Sequence, residues 1–272
     1  MRGSLGEKIG EGGSADIHAW APGQVVKLFR AGVRRRVGEY EARVTRAAFA
    51  AGVPAPAVLD EVTLEGRFGI VLSRLDGPTL VQLLRTGAMT PDQAGAILAS
   101  LCLSVHKTRP PADVISLRDW MDAALRLSGG IVAKHIATGI LALIDRLRPA
   151  DGLCHGDFHP GNVIMTADGP RIVDWTLAIR APAAFDLGWC HIILTERAPE
   201  VAGDPRRPLA VNAAAQSEYA RLAGMSQAAL TAAMEPYLPI VLVRLFILLG
   251  GPASARWERL IQRIEATLRP ED

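Results

Sequence analysis

Cysteine is nearly absent: Cys102, Cys154 and Cys190 are all that 272 residues contain, widely spaced and odd in number. Neither a disulfide framework nor a zinc-ligand spacing can be assembled from them, which suits a reducing compartment. Aromatic residues are scarce at 5%, and no basic stripe interleaves with stacking rings, so nucleic acid is not an expected partner. Charge of one sign is lacking too. The formal net charge of +2 implies no bulk pull toward a polyanion or a membrane surface. The longest apolar run, Ile240 to Leu249, is broken by Arg244 and falls short of the roughly 20 residues that span a bilayer. Met1 to Gly10 carries no apolar segment of the signal-peptide kind. The expectation is a cytoplasmic chain with no membrane partner; nothing in the sequence speaks to oligomeric state.

What is present is the composition of a folded protein, 49% hydrophobic and 21% charged. The length allows one large domain or two lobes. Over the first seventy or so residues, short apolar runs at Leu5–Ile9, Ala15–Trp20, Val25–Phe29, Val58–Val62 and Phe68–Leu72 alternate with Gly, Pro and charge clusters, a pattern of strands. One helical stretch interrupts them, from about Val33 to Ala51, ended by Gly52. On it Val37, Val44 and Ala48 share a face with Glu41, whereas Glu39 points nearly the opposite way. A carboxylate on an apolar stripe needs a partner, because burying it alone is costly.

After Asp76-Gly77-Pro78 the texture becomes helical. Thr90 and Pro91 mark a helix start, followed by an amphipathic stripe through Ala94, Leu98, Leu101 and Val105. Helices are expected at Leu117–Leu127 and Ile131–Leu147, then a strand-rich stretch from Leu153 to Ile179. Helices resume at Asn212–Ala223, Gln227–Leu249 and Ala253–Leu268. A small β-rich part with one helix, a connector and a large helical part suggest a cleft where a ligand would bind.

The strongest segment is His155-Gly156-Asp157-Phe158-His159-Pro160-Gly161-Asn162, followed by Ile172-Val173-Asp174-Trp175. Phosphoryl transfer to a hydroxyl needs a carboxylate near the nucleophile and oxygen ligands for magnesium beside the triphosphate. An Asp and an Asn five residues apart on one tight loop, with a second Asp at the end of a neighbouring strand, supply those groups. A Gly/Pro-rich turn with merely solvated acids would not require this order of His, Asp, Asn and Asp. The spacing is that of the kinase catalytic loop, H-x-D-x-x-x-x-N. Upstream, Ile9-Gly10-Glu11-Gly12-Gly13-Ser14-Ala15-Asp16-Ile17 fits a glycine loop between two strands, where backbone amides approach phosphates with no Cβ in the way. Taken alone it would read as a hairpin turn. Lys27 stands inside the apolar strand Val25-Val26-Lys27-Leu28. Such a Lys usually snorkels to water, but with a following helix that turns Glu41 inward it matches the pair with which kinases grip phosphates.

The chain resembles the aminoglycoside phosphotransferase and choline kinase-like family, relatives of protein kinases, through HGDFHPGN, the downstream IVDW, and the segment from Glu41-Ala42-Arg43 to Gly52-Val53-Pro54. The resemblance implies an α+β, protein-kinase-like bilobal fold, with a small antiparallel β N-lobe bearing one helix and a larger, mainly helical C-lobe. The corresponding parts would be residues 1–72 as nucleotide-binding lobe, 73–77 as hinge, and 78–272 as the helical lobe with catalytic loop and acceptor site. It implies Asp157 as catalytic base or hydroxyl-orienting residue, and Asn162 and Asp174 as magnesium ligands. Lys27 and Glu41 would grip the phosphates of ATP or GTP beneath Gly10, Gly12, Ser14 and Ile17. Backbone groups near Ser73 and Leu75 would read the purine edge, with Ile9, Ile17 and Val25 on one face of the base and Ile172 or Val173 on the other. His155 would brace the loop, and His159 takes the place of a phosphate-contacting Lys. Asp186 would anchor the catalytic loop, a helix N-cap being an equal reading. Thr176 stands where many relatives have Gly, which bears on the mobility of that segment. His106, His135 and His191 are too scattered for a metal cluster.

The function expected is transfer of the γ-phosphate of ATP or GTP to a hydroxyl of a small molecule, an aminoglycoside or other antibiotic among the candidates. A metabolite kinase with a choline-, sugar- or homoserine-like acceptor, or a catalytically silent nucleotide-binding module, are the alternatives. From Asp151 onward 14 acids face 11 Lys and Arg, an excess of three that gives a cationic acceptor only mild support.

Overall fold

A computed structural model describes residues 5–147, 152–201, 203–250 and 262, 264 and 265. The chain begins with β1 (Lys8–Glu11), β2 (Ala15–Ala21) and β3 (Gln24–Phe29), continues through α1 (Arg35–Ala50), and returns as β4 (Val58–Leu64) and β5 (Arg67–Ser73). The strands form one antiparallel sheet in the order β1-β2-β3-β5-β4. The first strand starts three residues later than the apolar run suggests, and its register with β2 shifts between Lys8 and Gly10. Short α2 (Leu80–Thr86) follows, closed by a capping box in which Thr79 and Gln82 satisfy each other's backbone N–H groups.

The helical stretch opens with α3 (Pro91–His106), α4 (Leu117–Leu127) and α5 (Lys134–Arg146). Two-residue β6 (Leu153–Cys154) leads to a 3-10 turn at Pro160–Asn162 and a hairpin of β7 (Val163–Thr166) and β8 (Gly169–Ile172). Beyond a second turn at Trp175–Leu177, β9 (Ile179–Arg180) pairs with β6. Then come α6 (Ala183–Ile192), α7 (Ala198–Val201), α8 (Arg206–Ala223), α9 (Gln227–Met234) and α10 (Leu238–Leu248). The single helix expected from Gln227 to Leu249 is two, separated by a 3-10 turn at Glu235–Tyr237, where Pro236 removes a helical N–H. The helix expected at Ala253–Leu268 lies outside the described residues but for 262, 264 and 265.

These elements gather into two compact units. The first comprises residues 1–90 and 159–178, and the second 91–158 and 179–272. In the first, α1 packs on the sheet with Val44 and Ala48 fully buried. Close approach is possible because Gly38 has no side chain: a Cβ there would lie 2.2 Å from the Phe68 ring. The β7–β8 hairpin joins the same unit, Met165 donating its N–H to Pro78 O at 2.9 Å and Ile172 to Pro54 O at 2.6 Å. Gly77 is the tightest point. Its φ is 154°, and a Cβ would stand 1.8 Å from the Met165 carbonyl oxygen, an atom with no rotamer to escape through. Gly77→Ala is therefore expected to lower stability by about 2–4 kcal/mol, combining backbone strain and overpacking. A denaturant midpoint equal to wild type would refute that.

In the second unit α6 is the central helix. Phe185 and Trp189 are fully buried, and both rings meet Trp120 of α4 edge-on, at 5.8 and 6.4 Å between centroids. One stretch, Gln227–Leu248, is long and apolar enough to cross a membrane by length and composition, but 61% of its most apolar window is buried inside the protein.

Candidate active site

The first unit holds a cavity of about 680 Å³. The glycine loop between β1 and β2 contributes Gly10, Gly12 and Ser14, and β2 contributes Ile17. Lys27 of β3 and Glu41 of α1 also line it, as do Ser73 and Leu75 after β5, and Asn162 and Asp174. Ten residues singled out in the sequence thus share one cavity. Asp157, His155 and Asp186 belong to the second unit.

Lys27 is 6% exposed and Glu41 3%. Lys27 Nζ donates to Glu41 Oε1 at 2.7 Å and to Asp174 Oδ1 at 2.9 Å. Burial alone would lower the Lys27 pKa, but the two carboxylates outweigh it and hold it above its ordinary value. Burial pushes the Glu41 carboxyl up, with Lys27 and Thr176 pulling against it. Thr176 is the member that sequence reasoning weighed only for mobility. Its Oγ1 lies 2.6 Å from Asp174 Oδ1 and 2.8 Å from Glu41 Oε2, so its one proton serves one carboxylate at a time. Asp174 itself adopts a left-handed backbone, φ 64°, which costs a non-glycine residue energy and clusters at functional positions.

Asn162 ends the 3-10 turn that starts at Pro160. Its carbonyl accepts the Val173 N–H at 2.9 Å, which links the Asn162 turn to the segment carrying Asp174. His159 caps that turn, Nδ1 accepting the Gly161 N–H at 3.0 Å. Hard oxygen donors, one amide and one carboxylate, are thus presented to a common cavity, a donor set suited to magnesium.

On the apolar walls Ile9, Ile17 and Val25 face the cavity together with Val173 and Ile164. Ile172 is fully buried away from it, as alternation along a strand requires. Of the two connector residues, Ser73 is committed: Ala57 N donates to its hydroxyl oxygen, and its own N–H donates to Ala57 O, both at 2.9 Å. Among the described residues no backbone–backbone hydrogen bond engages Leu75.

In the second unit Asp186 lies in the first turn of α6, whose N-cap is Pro182. Its carboxylate accepts the backbone N–H groups of His155 (2.6 Å) and Gly156 (2.8 Å). His155 is fully buried, and its Nδ1 accepts the Asp157 N–H at 3.3 Å. Trp189 Nε1 donates to Asp157 Oδ1 at 2.9 Å, which fixes the carboxylate's orientation. The Asp157 charge also reaches Arg244 of α10: burial lowers the guanidinium pKa to about 10, and that carboxylate pulls against the shift. His106 does find acidic company, its ring lying with Cys154 Sγ and Asp186 within 4.8 Å of one another. It hydrogen-bonds Tyr219 at 2.9 Å. Burial, reinforced by the Asp186 charge, pushes the Cys102 and Cys154 thiols well up, away from the thiolate form that metals bind.

A five-stranded antiparallel sheet with one helix after its third strand, a buried Lys–Glu pair under a glycine loop, and a larger helical part define a protein-kinase-like fold. The family model described as the phosphotransferase enzyme family matches residues 9–230, and the chain belongs to that family. No curated protein matches the sequence. Among solved structures it resembles an aminoglycoside-3'-phosphotransferase of type VIII, with 19% identity and a TM-score of 0.60 over 87% of this chain and 94% of that one. Choline kinase from Cryptosporidium parvum gives 16% identity and 0.60 over 99% and 92%. The amicoumacin kinase hAmiN in complex with AMP-PNP, Ca2+ and Ami gives 12% and 0.63 over 100% and 90%. At such identities the likeness establishes the fold alone.

Proposed function

We propose that the protein is a small-molecule kinase that moves the γ-phosphate of ATP or GTP to an acceptor hydroxyl. The observation that carries this reading is the convergence of Lys27, Glu41, Asn162 and Asp174 on one cavity beneath the glycine loop. The cavity would take the nucleotide with its base between Ile9, Ile17, Val25 and Val173, its edge on the backbone of the connector 73–77, and its phosphates beside Lys27. Because that connector would read through the main chain, chiefly Leu75, its side chains do not select between adenine and guanine.

Asn162 and Asp174 would hold magnesium, which when bound shields phosphate charge. Lys27, kept cationic by Glu41, would gather the α- and β-phosphates. Asp157 would accept the hydroxyl proton as the acceptor oxygen bonds to the γ-phosphorus. The bridging P–O bond then breaks, and the nucleoside diphosphate leaves with the bonding electrons. His155 and Asp186 would hold the Asp157 loop through backbone hydrogen bonds. The AMP-PNP and Ca2+ bound by the amicoumacin kinase hAmiN, and the hard oxygen donors of Asn162 and Asp174, both support this assignment.

Thermal shift is the direct test. Saturation at a hundredfold excess over Kd stabilises a protein by about 2.7 kcal/mol, and wild type should show such a shift with Mg-AMP-PNP. Asp174→Ala should lose the magnesium-dependent part. An unchanged shift in that variant would remove Asp174 from the metal site. Shift without any nucleotide turnover across acceptors would favour the silent binding module.

A further inference from the structure

Arg244 sits badly in a purely structural account. It lies in α10 among Ile240, Val241, Val243 and Leu245, all buried, and is itself 9% exposed. A guanidinium offers five N–H donors and accepts nothing. Among the described residues its Nε is a buried polar atom with no hydrogen-bond partner, and no carboxylate forms an ion pair with it. Its guanidinium stacks on an indole instead, with Cζ 4.4 Å from the centre of the Trp120 ring. Leu or Met would fill that space over Trp120 without the cost of stripping water from a cation.

The position is telling. Trp120 comes from α4, Trp189 from α6 and Arg244 from α10, and all three helices belong to the second unit. Trp189 holds Asp157 by a hydrogen bond, and Asp157 is the acid whose charge acts on Arg244. A desolvated cation with an unsatisfied Nε therefore stands in the same helical unit as the Asp157 carboxylate, linked to it through the Trp120 and Trp189 rings. A cationic acceptor would meet like charge there and leave the guanidinium unsatisfied, a double penalty. A planar anion would use the donor fork bidentately.

We propose that Arg244 is the anion-recognising residue of the acceptor subsite, and that the phosphorylated molecule is a small alcohol that also bears a carboxylate or phosphate. The proposal rests on the kinase reading, with Asp157 at the acceptor hydroxyl.

The test is a coupled assay of ADP release with Mg-ATP over three arms: hydroxycarboxylates (glycerate, gluconate, pantothenate), sugar phosphates (glucose 6-phosphate, ribose 5-phosphate) and cations (kanamycin, choline, ethanolamine). In parallel, thermal shift of the Mg-AMP-PNP complex is measured with each compound. Turnover or added stabilisation is expected in one anionic arm, and which arm responds tells carboxylate from phosphate. Arg244→Gln should raise the acceptor KM by about 10- to 100-fold, the loss expected of a charged hydrogen bond, with a smaller effect on kcat. Arg244→Lys should recover part of it, and serves alone if the Gln variant does not fold. Preference for the cationic arm overturns the proposal, as does the absence of any response to anions. A fall in kcat at constant KM also overturns it, since Arg244 would then act only through Asp157. A retained Mg-AMP-PNP shift in these negative cases leaves the kinase reading standing; loss of that shift as well sinks the reading itself.

Discussion

Asp157→Asn is expected to cut kcat by about 10²–10⁴-fold, the usual contribution of a positioned acid–base group, while Mg-nucleotide still protects the protein against heat. Asn is the better replacement than Ala for a reason specific to this chain. Trp189 is fully buried and its Nε1 donates to Asp157 Oδ1; an amide oxygen keeps an acceptor there, whereas Ala orphans the indole N–H. A modest loss of stability should accompany the change, because Arg244 loses the acid that acts on it. Steady-state kinetics and a melting curve on the same preparation separate the two effects. A kcat within a few-fold of wild type would remove Asp157 from the chemistry.

Lys27→Met should cost about 3–5 kcal/mol of folding stability, the penalty for leaving a buried carboxylate without its counter-charge. The Lys27 and Glu41 side chains are only 8% and 4% exposed, so water cannot compensate. Lys27→Met with Glu41→Gln removes both charges and should recover a substantial part, giving a strong coupling in a double-mutant cycle. The pH dependence has a definite sign. The folded pKa of Lys27 is raised above its ordinary 10.5, so its contribution is present in full below 10.5 and is lost as pH climbs through the higher folded value. The wild-type advantage over Lys27→Met traceable to this lysine should thus be flat across neutral pH. Additive single variants, with no coupling to Glu41, would contradict the pairing.

The parts of the fold readable in the sequence were those with a local signature. The helix Leu117–Leu127 stands at its expected bounds, because its buried face repeats at helical spacing through Leu117, Trp120, Met121 and Ala124. The inward Glu41 and outward Glu39 on α1 followed from the same geometry. By contrast α6 carried no periodic signal. Its sequence is apolar nearly all round, Phe185, Gly188, Trp189, Cys190 and Ile192 being buried, and Pro182 rather than Ser, Thr, Asp or Asn stands at its N-cap. The helix α2 and its Thr79–Gln82 capping box went unread, since seven residues are too few for periodicity to speak.

Within the site, residue types at fixed short spacings were legible, whereas contacts across long separations were not. Thr176 meets Glu41 from 135 residues away, and nothing local marks its hydroxyl as shared. Arg244 registered only as an interruption of an apolar run, since its stacking partner Trp120 lies on another helix. Ile164 faces the cavity where Ile172 does not, a choice set by hairpin register rather than by composition.

The sheet-bearing unit is assembled from two stretches of chain, and the second supplies Asn162 and Asp174. Lys27 must therefore wait for a carboxylate 147 positions downstream. During synthesis on the ribosome, the first five strands emerge long before this ion-pair cluster can be completed. A nascent chain arrested at residue 90 would hold the lysine and its helix glutamate, but not the second carboxylate with which that lysine also pairs.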